Sequence, residues 1–403
     1  MRKTPKLRFK EFEGDWKEVK LSQIVERVTR KNKGNVSNLP LTISAQYGIV
    51  NQNIFFNKTI ASKDLSNYYL LNKGEFAYNK SYSNGHPFGA IKRLDSYEEG
   101  VLSSLYICFV PNKNVISDYL VQYFETNKWH KEISMIAVEG ARNHGLLNIA
   151  IGEFFETLHR LPEKEEQKKI AEILSLMDEK ISLQSEKVDF LNEYKRGIMQ
   201  KIFNREIRFK NENGINYPKW EKKKIKEVGD VITGNTPSTK DKENYGDEYL
   251  WASPADLGNK KFIKETMSKL SLKGFEKTRI ISKGSILVTC IGSSIGKIGI
   301  AYTEMSTNQQ INSLVCYKNY DNEFIYYALK QNFSEFLSYI TFQAIPIINK
   351  SQFEEFEIEI PKIEEQKKIA VLISLLDEKI EREQEKMNLL NEYKKGLLYN
   401  MFV

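Results

Sequence analysis

The chain has 403 residues, 41% hydrophobic and 28% charged, with a formal net charge of +7. That length predicts two or more domains, the apolar fraction excludes a disordered polymer, and the modest basic excess permits a polyanionic partner without requiring one. No apolar run approaches the roughly 18 residues of a membrane span, and the opening "MRKTPKLRFKEFEGDW" lacks the apolar stretch of a signal peptide, so a cytoplasmic protein with no membrane partner is expected.

The first segment, "LRFKEFEGDWKEVKLSQI" (Leu7–Ile24), leads into short β-branched and aromatic runs broken by turn residues, the rhythm of strands. Among them are "LNKGEFAYNKSYSNGHPFGAI" (Leu71–Ile91) and "GVLSSLYICFV" (Gly100–Val110). A proline then opens a long helical pattern, Pro162–Phe203, with acidic residues in its first turn and no internal proline. Its apolar positions Ile170, Leu174, Met177, Ile181, Val188, Leu191, Ile198 and Ile202 recur in steps of four and three, a coiled-coil seam.

The second half repeats the plan. "IRFKNENGINYPKWEKKKIKEV" (Ile207–Val228) matches the opening segment, with Trp220 in the place of Trp16. "ISKGSILVTCIGSSIGKIGIA" (Ile281–Ala301) and "STNQQINSLVCY" (Ser306–Tyr317) have the same order of Lys-Gly, strand, Gly/Ser-rich loop and strand. The last segment, Pro361–Phe402, matches the first long helix at over half of its positions without a gap, and "EEQKKIA" stands in both, at Glu165–Ala171 and Glu364–Ala370. Its seam is Ile369, Ile373, Leu376, Ile380, Met387, Leu390, Leu397 and Met401. The polar interruptions match too, Gln184 with Glu383 and Lys195 with Lys394, and such positions fix register and partner choice. About 40 helical residues make a rod of roughly 60 Å. The expected fold is therefore α+β: two globular domains in a tandem, pseudo-two-fold arrangement, joined by two long antiparallel coiled-coil helices. The segments are 1–160 and 206–359 for the domains, 161–205 and 360–403 for the helices.

Catalytic patterns fail one after another. "GSSIGK" (Gly292–Lys297) has three residues between its glycines where a phosphate loop has four, and Ile298 stands where the magnesium-binding hydroxyl belongs. There is no HExxH, kinase set or GxGxxG after a strand. Cys108, Cys290 and Cys316 form no CxxC pair, and the histidines are scattered, so neither zinc nor a disulfide framework is expected. His144 has no visible nucleophile or metal partner that would make it a general base.

With these residues in view, the chain resembles the specificity subunits of type I restriction-modification systems. The marks are the duplicated "EEQKKIA…LNEYK" helices, the tandem halves, "GNTPSTKDKENYGDEYLWASPADL" (Gly234–Leu257) and "STNQQIN" (Ser306–Asn312). The first domain departs most, with "LTISAQYGI" (Leu41–Ile49) where the second has "YLWASPADL" (Tyr249–Leu257). The resemblance implies a non-catalytic subunit. Each domain reads one half of a split, asymmetric double-stranded DNA target, and the helices dock two methyltransferase subunits. Restriction/translocase subunits join through the assembled complex, an adenine-specific methyltransferase and ATP-dependent endonuclease. It also implies no cofactor in this chain, with S-adenosylmethionine, ATP and magnesium on the partners.

Two other readings compete. A self-contained restriction and methyltransferase enzyme needs an Asn-Pro-Pro-aromatic signature, and the sequence has no Asn-Pro-Pro. A coiled-coil adaptor would bind protein only. For the DNA reading, candidate contacts are polar loop residues, because Asn and Gln match adenine, and Arg and Lys match guanine. In the first domain these are Asn79, Lys80, Tyr82, Asn84 and His86, then Arg142, Asn143 and His144. In the second they are Thr236, Ser238, Thr239, Lys240, Ser293, Ser294, Lys297, Asn308, Gln309, Gln310, Asn349 and Lys350. Asn308–Gln310 could equally be structural amides joining strands.

Overall fold

The computed structural model describes residues 3–83, 85–137, 145, 147–338 and 346–403. Four helices organise it: α1 (Ser117–Phe124), α2 (Lys164–Phe203), α3 (Asn322–Ser338) and α4 (Ile363–Met401). The long helices α2 and α4 contain 40 and 39 residues. Two compact units form, the first discontinuous in sequence and the second continuous: Met1–Glu186 with Gln384–Val403, and Lys187–Glu383.

In the first unit an antiparallel sheet has the order Val25–Arg27, Ile107–Pro111, Phe76–Asn79, Ala90–Arg93. Its inner face is aromatic. Phe76 stacks on Phe109 at 5.4 Å, and both rings meet Phe124 at the end of α1. In the second unit a five-stranded sheet runs Gly229–Thr233, Ile311–Cys316, Ile286–Thr289, Ile298–Ala301, Phe262–Ile263, beside another five-stranded sheet that contains Tyr249–Ala252 and Met305–Thr307. The Lys-Gly turns before the paired strand runs are true equivalents: Gly74 and Gly284 sit at φ +85° and +86°, a region that favours glycine.

The attachment of each unit to its long helices is the same. Lys17–Lys20 pairs with Leu158–Leu161, and Glu221–Lys224 pairs with Glu357–Ile360, in equivalent register. Gln167 donates to the Pro162 carbonyl at 2.9 Å and accepts from the Ile116 N–H at 2.9 Å. Gln366 repeats both bonds, with Pro361 at 2.8 Å and Asp321 at 2.9 Å. The glutamine of "EEQ" thus ties its helix to the proline that precedes it and pins the residue that leads into α1 or α3.

The seam lies where the four-three spacing puts it. Ile170, Leu174, Val188, Leu191, Ile202, Ile369, Ile373, Leu397 and Met401 are buried, and Met177, Ile181, Ile198, Leu376, Ile380, Met387 and Leu390 are half-buried. In the first unit the start of α2 shares a core with the end of α4, where Trp16 meets Phe402 edge to face. In the second the end of α2 shares a core with the start of α4, and Trp220 meets Phe203 the same way. Within each unit the two helices therefore run antiparallel. Lys195 and Lys394, which interrupt the seams, reach across to Asp377 and Asp178.

Candidate nucleic-acid interface

Three separate stretches of the second unit meet at one edge. Asn235 N–H donates to the Thr307 carbonyl at 2.9 Å, and the Thr236 hydroxyl donates to the Gln309 side chain. Gln310 Nε2 reaches the Ile291 carbonyl at 3.4 Å, which brings the Gly/Ser loop beside the Asn-Gln run. Gly292 N–H donates to the Pro346 carbonyl at 3.0 Å. Thr236, Gln309 and Ser293 are exposed there, and Gln310 and Ser294 are half-buried.

Other candidates have structural work. Asn308 is buried, accepts from Gln310 N–H at 3.0 Å and donates to the Gln310 side chain at 3.1 Å, so it shapes the turn. Asn349 caps the helix Lys350–Glu354 by accepting from Gln352 N–H at 2.9 Å, and Lys350 pairs with Glu354 at 3.5 Å. Lys297 lies half-buried with its stem against Gly258. Ser238, Thr239 and Lys240 are exposed on the turn that precedes Lys242–Asn244, where the Ser238 carbonyl accepts from Asn244 Nδ2 at 3.0 Å.

The structure adds Arg279 to this edge. Its Nη1 donates to the Thr233 carbonyl at 2.7 Å and its N–H to Asn235 Oδ1 at 2.8 Å. The side chain is exposed, and the acceptor its guanidinium meets among the described residues is the Thr233 carbonyl. Arg279 lies far from Thr236 and Gln309 in sequence. It joins them because Ile280–Ile281 pairs antiparallel with Met305–Ser306, immediately before the Asn-Gln run.

In the first unit the loop after Phe76–Asn79 is folded back on Gly145 and Leu147. Tyr82 N–H donates to the Gly145 carbonyl at 2.7 Å, and Leu147 N–H to the Lys80 carbonyl at 3.0 Å. Asn79 Oδ1 accepts from Ser81 N–H at 3.0 Å, an Asx turn. Gly89 must be glycine, since a Cβ would stand 2.0 Å from the Asn79 carbonyl. Tyr82 is exposed and His86 half-buried; burial lowers the Lys80 ammonium pKa. His130, which the sequence did not single out, meets Phe88 at a tilt and Trp129 edge to face, and burial followed by the nearby His86 lowers its pKa. Asn84, Arg142, Asn143 and His144 lie outside the described residues. Among the described residues no cluster of three His, Cys, Asp or Glu could hold a metal, and no helix is long and apolar enough to cross a membrane. Burial pushes the thiols of Cys108, Cys290 and Cys316 up to about 12.

The family model described as "Type I restriction modification DNA specificity domain" matches the chain twice, over residues 13–193 and 217–392. The chain belongs to the type I restriction-modification specificity family. Among relatives in this family, the HindI specificity subunit of Haemophilus influenzae is 26% identical over 87% of this chain and 90% of its own. The MjaIX specificity subunit of Methanocaldococcus jannaschii is 34% identical over 209 residues, half of this chain and 48% of that protein. The solved S subunit from M. genitalium shares the fold, with a TM-score of 0.59 at 14% identity over 99% of both chains. The two matched segments fall one on each half of the sequence repeat.

Proposed function

We propose that this chain is the DNA-reading, non-catalytic subunit of a type I restriction-modification complex. In this reading the recognition domains span 1–160 and 206–359, each reads one half of a split target, and the helices at 161–205 and 360–403 carry the partners. One observation carries it: the two units attach to their helices through the same bonds, yet present different side chains at their loop edges. Equal scaffolds with unlike edges fit an asymmetric, bipartite double-stranded site.

The helices also support docking of two methyltransferase subunits. Leu176, Phe190 and Tyr194 on α2 are exposed, and so are Leu375, Leu389 and Tyr393 at the matching positions of α4. A repeated exposed apolar stripe fits two copies of one partner. Those subunits would bring S-adenosylmethionine, and restriction/translocase subunits the ATP and magnesium chemistry, in the cytoplasm where the DNA is.

The test is a methylation map of DNA from cells that express the chain with its methyltransferase. The expected result is one split motif with two unlike halves, and exchange of residues 41–153 changes one half only. A continuous motif, or binding to duplex DNA that ignores salt, would count against the reading, because phosphate contacts impose salt sensitivity.

A further inference from the structure

One bonding pattern away from the loop edges occurs twice. Asp178 of α2 accepts Lys394 of α4 at Oδ1 and Gln122 of α1 at Oδ2, the second at 2.8 Å. Asp377 of α4 accepts Lys195 of α2 at Oδ1 and Tyr327 of α3 at Oδ2. The second donor differs in chemistry, an amide in one unit and a phenol in the other, and both are buried. The pattern is kept: one carboxylate oxygen faces the opposite long helix, the other faces the globular domain. In the second unit the Tyr327 oxygen also accepts from Lys261 at 3.1 Å, and Lys261 bonds Glu323 at 2.7 Å, so the contact extends to the edge of the sheet.

An ion pair between two helices has no need of a buried neutral donor on its second oxygen. Hydrogen bonds to ionised acceptors are short and directional. Each aspartate therefore constrains two things together: the register of the helix pair and the seat of the domain upon it.

We propose that Asp178 and Asp377 are positioning residues, each locking a recognition domain onto the paired helices so that the chain accepts only one distance between half-sites. This rests on the split-target reading. The two hubs make selectivity for the unread spacer a property of residues that touch no base.

The experiment maps methylated sites in cells that express the full chain with its methyltransferase. Tyr327→Phe removes the domain arm of one hub and leaves Lys195–Asp377 in place. Gln122→Met does the same at the other. Each is expected to keep both half-site sequences while methylation of sites with a spacer one base pair longer or shorter rises about tenfold, the scale of one hydrogen bond to a charged group. Unchanged spacer selectivity in the assembled variants overturns the proposal, and so does altered base preference within a half. If one variant fails to assemble, the other decides, since the hubs lie in different units. A wild-type chain that methylates no split motif would instead sink the underlying reading.

Discussion

Arg8 holds Glu166 in a two-pronged grip, Nε to Oε1 at 2.9 Å and Nη2 to Oε2 at 2.8 Å, and Arg208 holds Glu365 likewise at 3.0 and 2.7 Å. The carboxylates are 1% and 0% exposed. Each guanidinium also reaches carbonyls of its own segment, Glu13 and Gly14 for Arg8, Tyr217 and Pro218 for Arg208. The two glutamates of "EEQ" therefore differ in role. Glu165 and Glu364 are exposed at helix starts, and Glu166 and Glu365 close a clasp between the segment that enters each domain and the helix that leaves it.

Arg8→Ala leaves a buried carboxylate without its partner. The expected loss is about 3 kcal/mol, as for other broken buried pairs. Glu165→Ala, one residue away and exposed, should cost under about 0.5 kcal/mol. Denaturant unfolding of the two variants compares them, and equal small losses would show that the clasp does not contribute to stability.

His159 adds an acid sensitivity confined to the first unit. Its Nδ1 bonds the Tyr123 hydroxyl at 2.8 Å and its Nε2 the Thr157 hydroxyl at 2.9 Å. Burial pushes the imidazole down to about 4, from an ordinary value of 6.5. The unfolded chain thus takes up a proton between those values while the folded chain does not. Stability from this group is complete above the ordinary value and falls as pH drops toward about 4, by about 3 kcal/mol in all. The equivalent position in the second unit is Ile358, which cannot titrate. Unfolding at stepped pH should show His159→Gln losing less stability on acidification than wild type; parallel curves would refute the assignment.

The helices were legible in sequence because a seam is a local pattern. Ile170, Leu174, Ile369 and Ile373 announce their burial by spacing alone, and all four are buried. The edge of the second unit was legible in part. Gln309 and Thr236 stand out in sequence as polar residues of loops, and they meet there. Asn349 and Asn308 look identical to base readers in sequence. Only the bonds they make to Gln352 and Gln310 show that their amides are committed. Arg279 was missed because strand pairing, not spacing, brings it to the edge. The aspartate hubs were half visible: Lys195 and Lys394 stood out as polar seam residues, but Asp178 and Asp377 are ordinary members of a charged helix until their partners are known.

The same ion pairs predict what half of the chain does alone. A fragment of residues 1–205 carries both Asp178 and Lys195 on one helix, so two copies can each supply the lysine that Lys394 supplies here. Phe203 of one copy can enter the other where Phe402 packs against Trp16. The fragment should therefore form a two-fold dimer, and Lys195→Glu should leave it monomeric. Light scattering on the purified fragments separates these outcomes; a monomeric wild-type fragment would mean that helix pairing is not self-complementary.

Arg279 provides the sharpest test of base reading. One guanidinium nitrogen is committed to the Thr233 carbonyl, which fixes the group beside Thr236 and Gln309 and leaves its other donors exposed. A guanidinium held in this way suits bidentate bonding to guanine O6 and N7. Arg279→Ala should then relax one guanine position in one half of the target by roughly tenfold to a hundredfold, the scale of a lost bidentate contact. The other half should not change. A phosphate contact would behave differently, weakening all sites alike and lowering the salt dependence of binding by about one charge. A methylation map with a titration of DNA binding against salt distinguishes the two. A uniform loss would move Arg279 from reading to anchoring, and the base-reading role at this edge would then fall to Gln309, since the Gln310 amide is committed to Asn308 and Ile291.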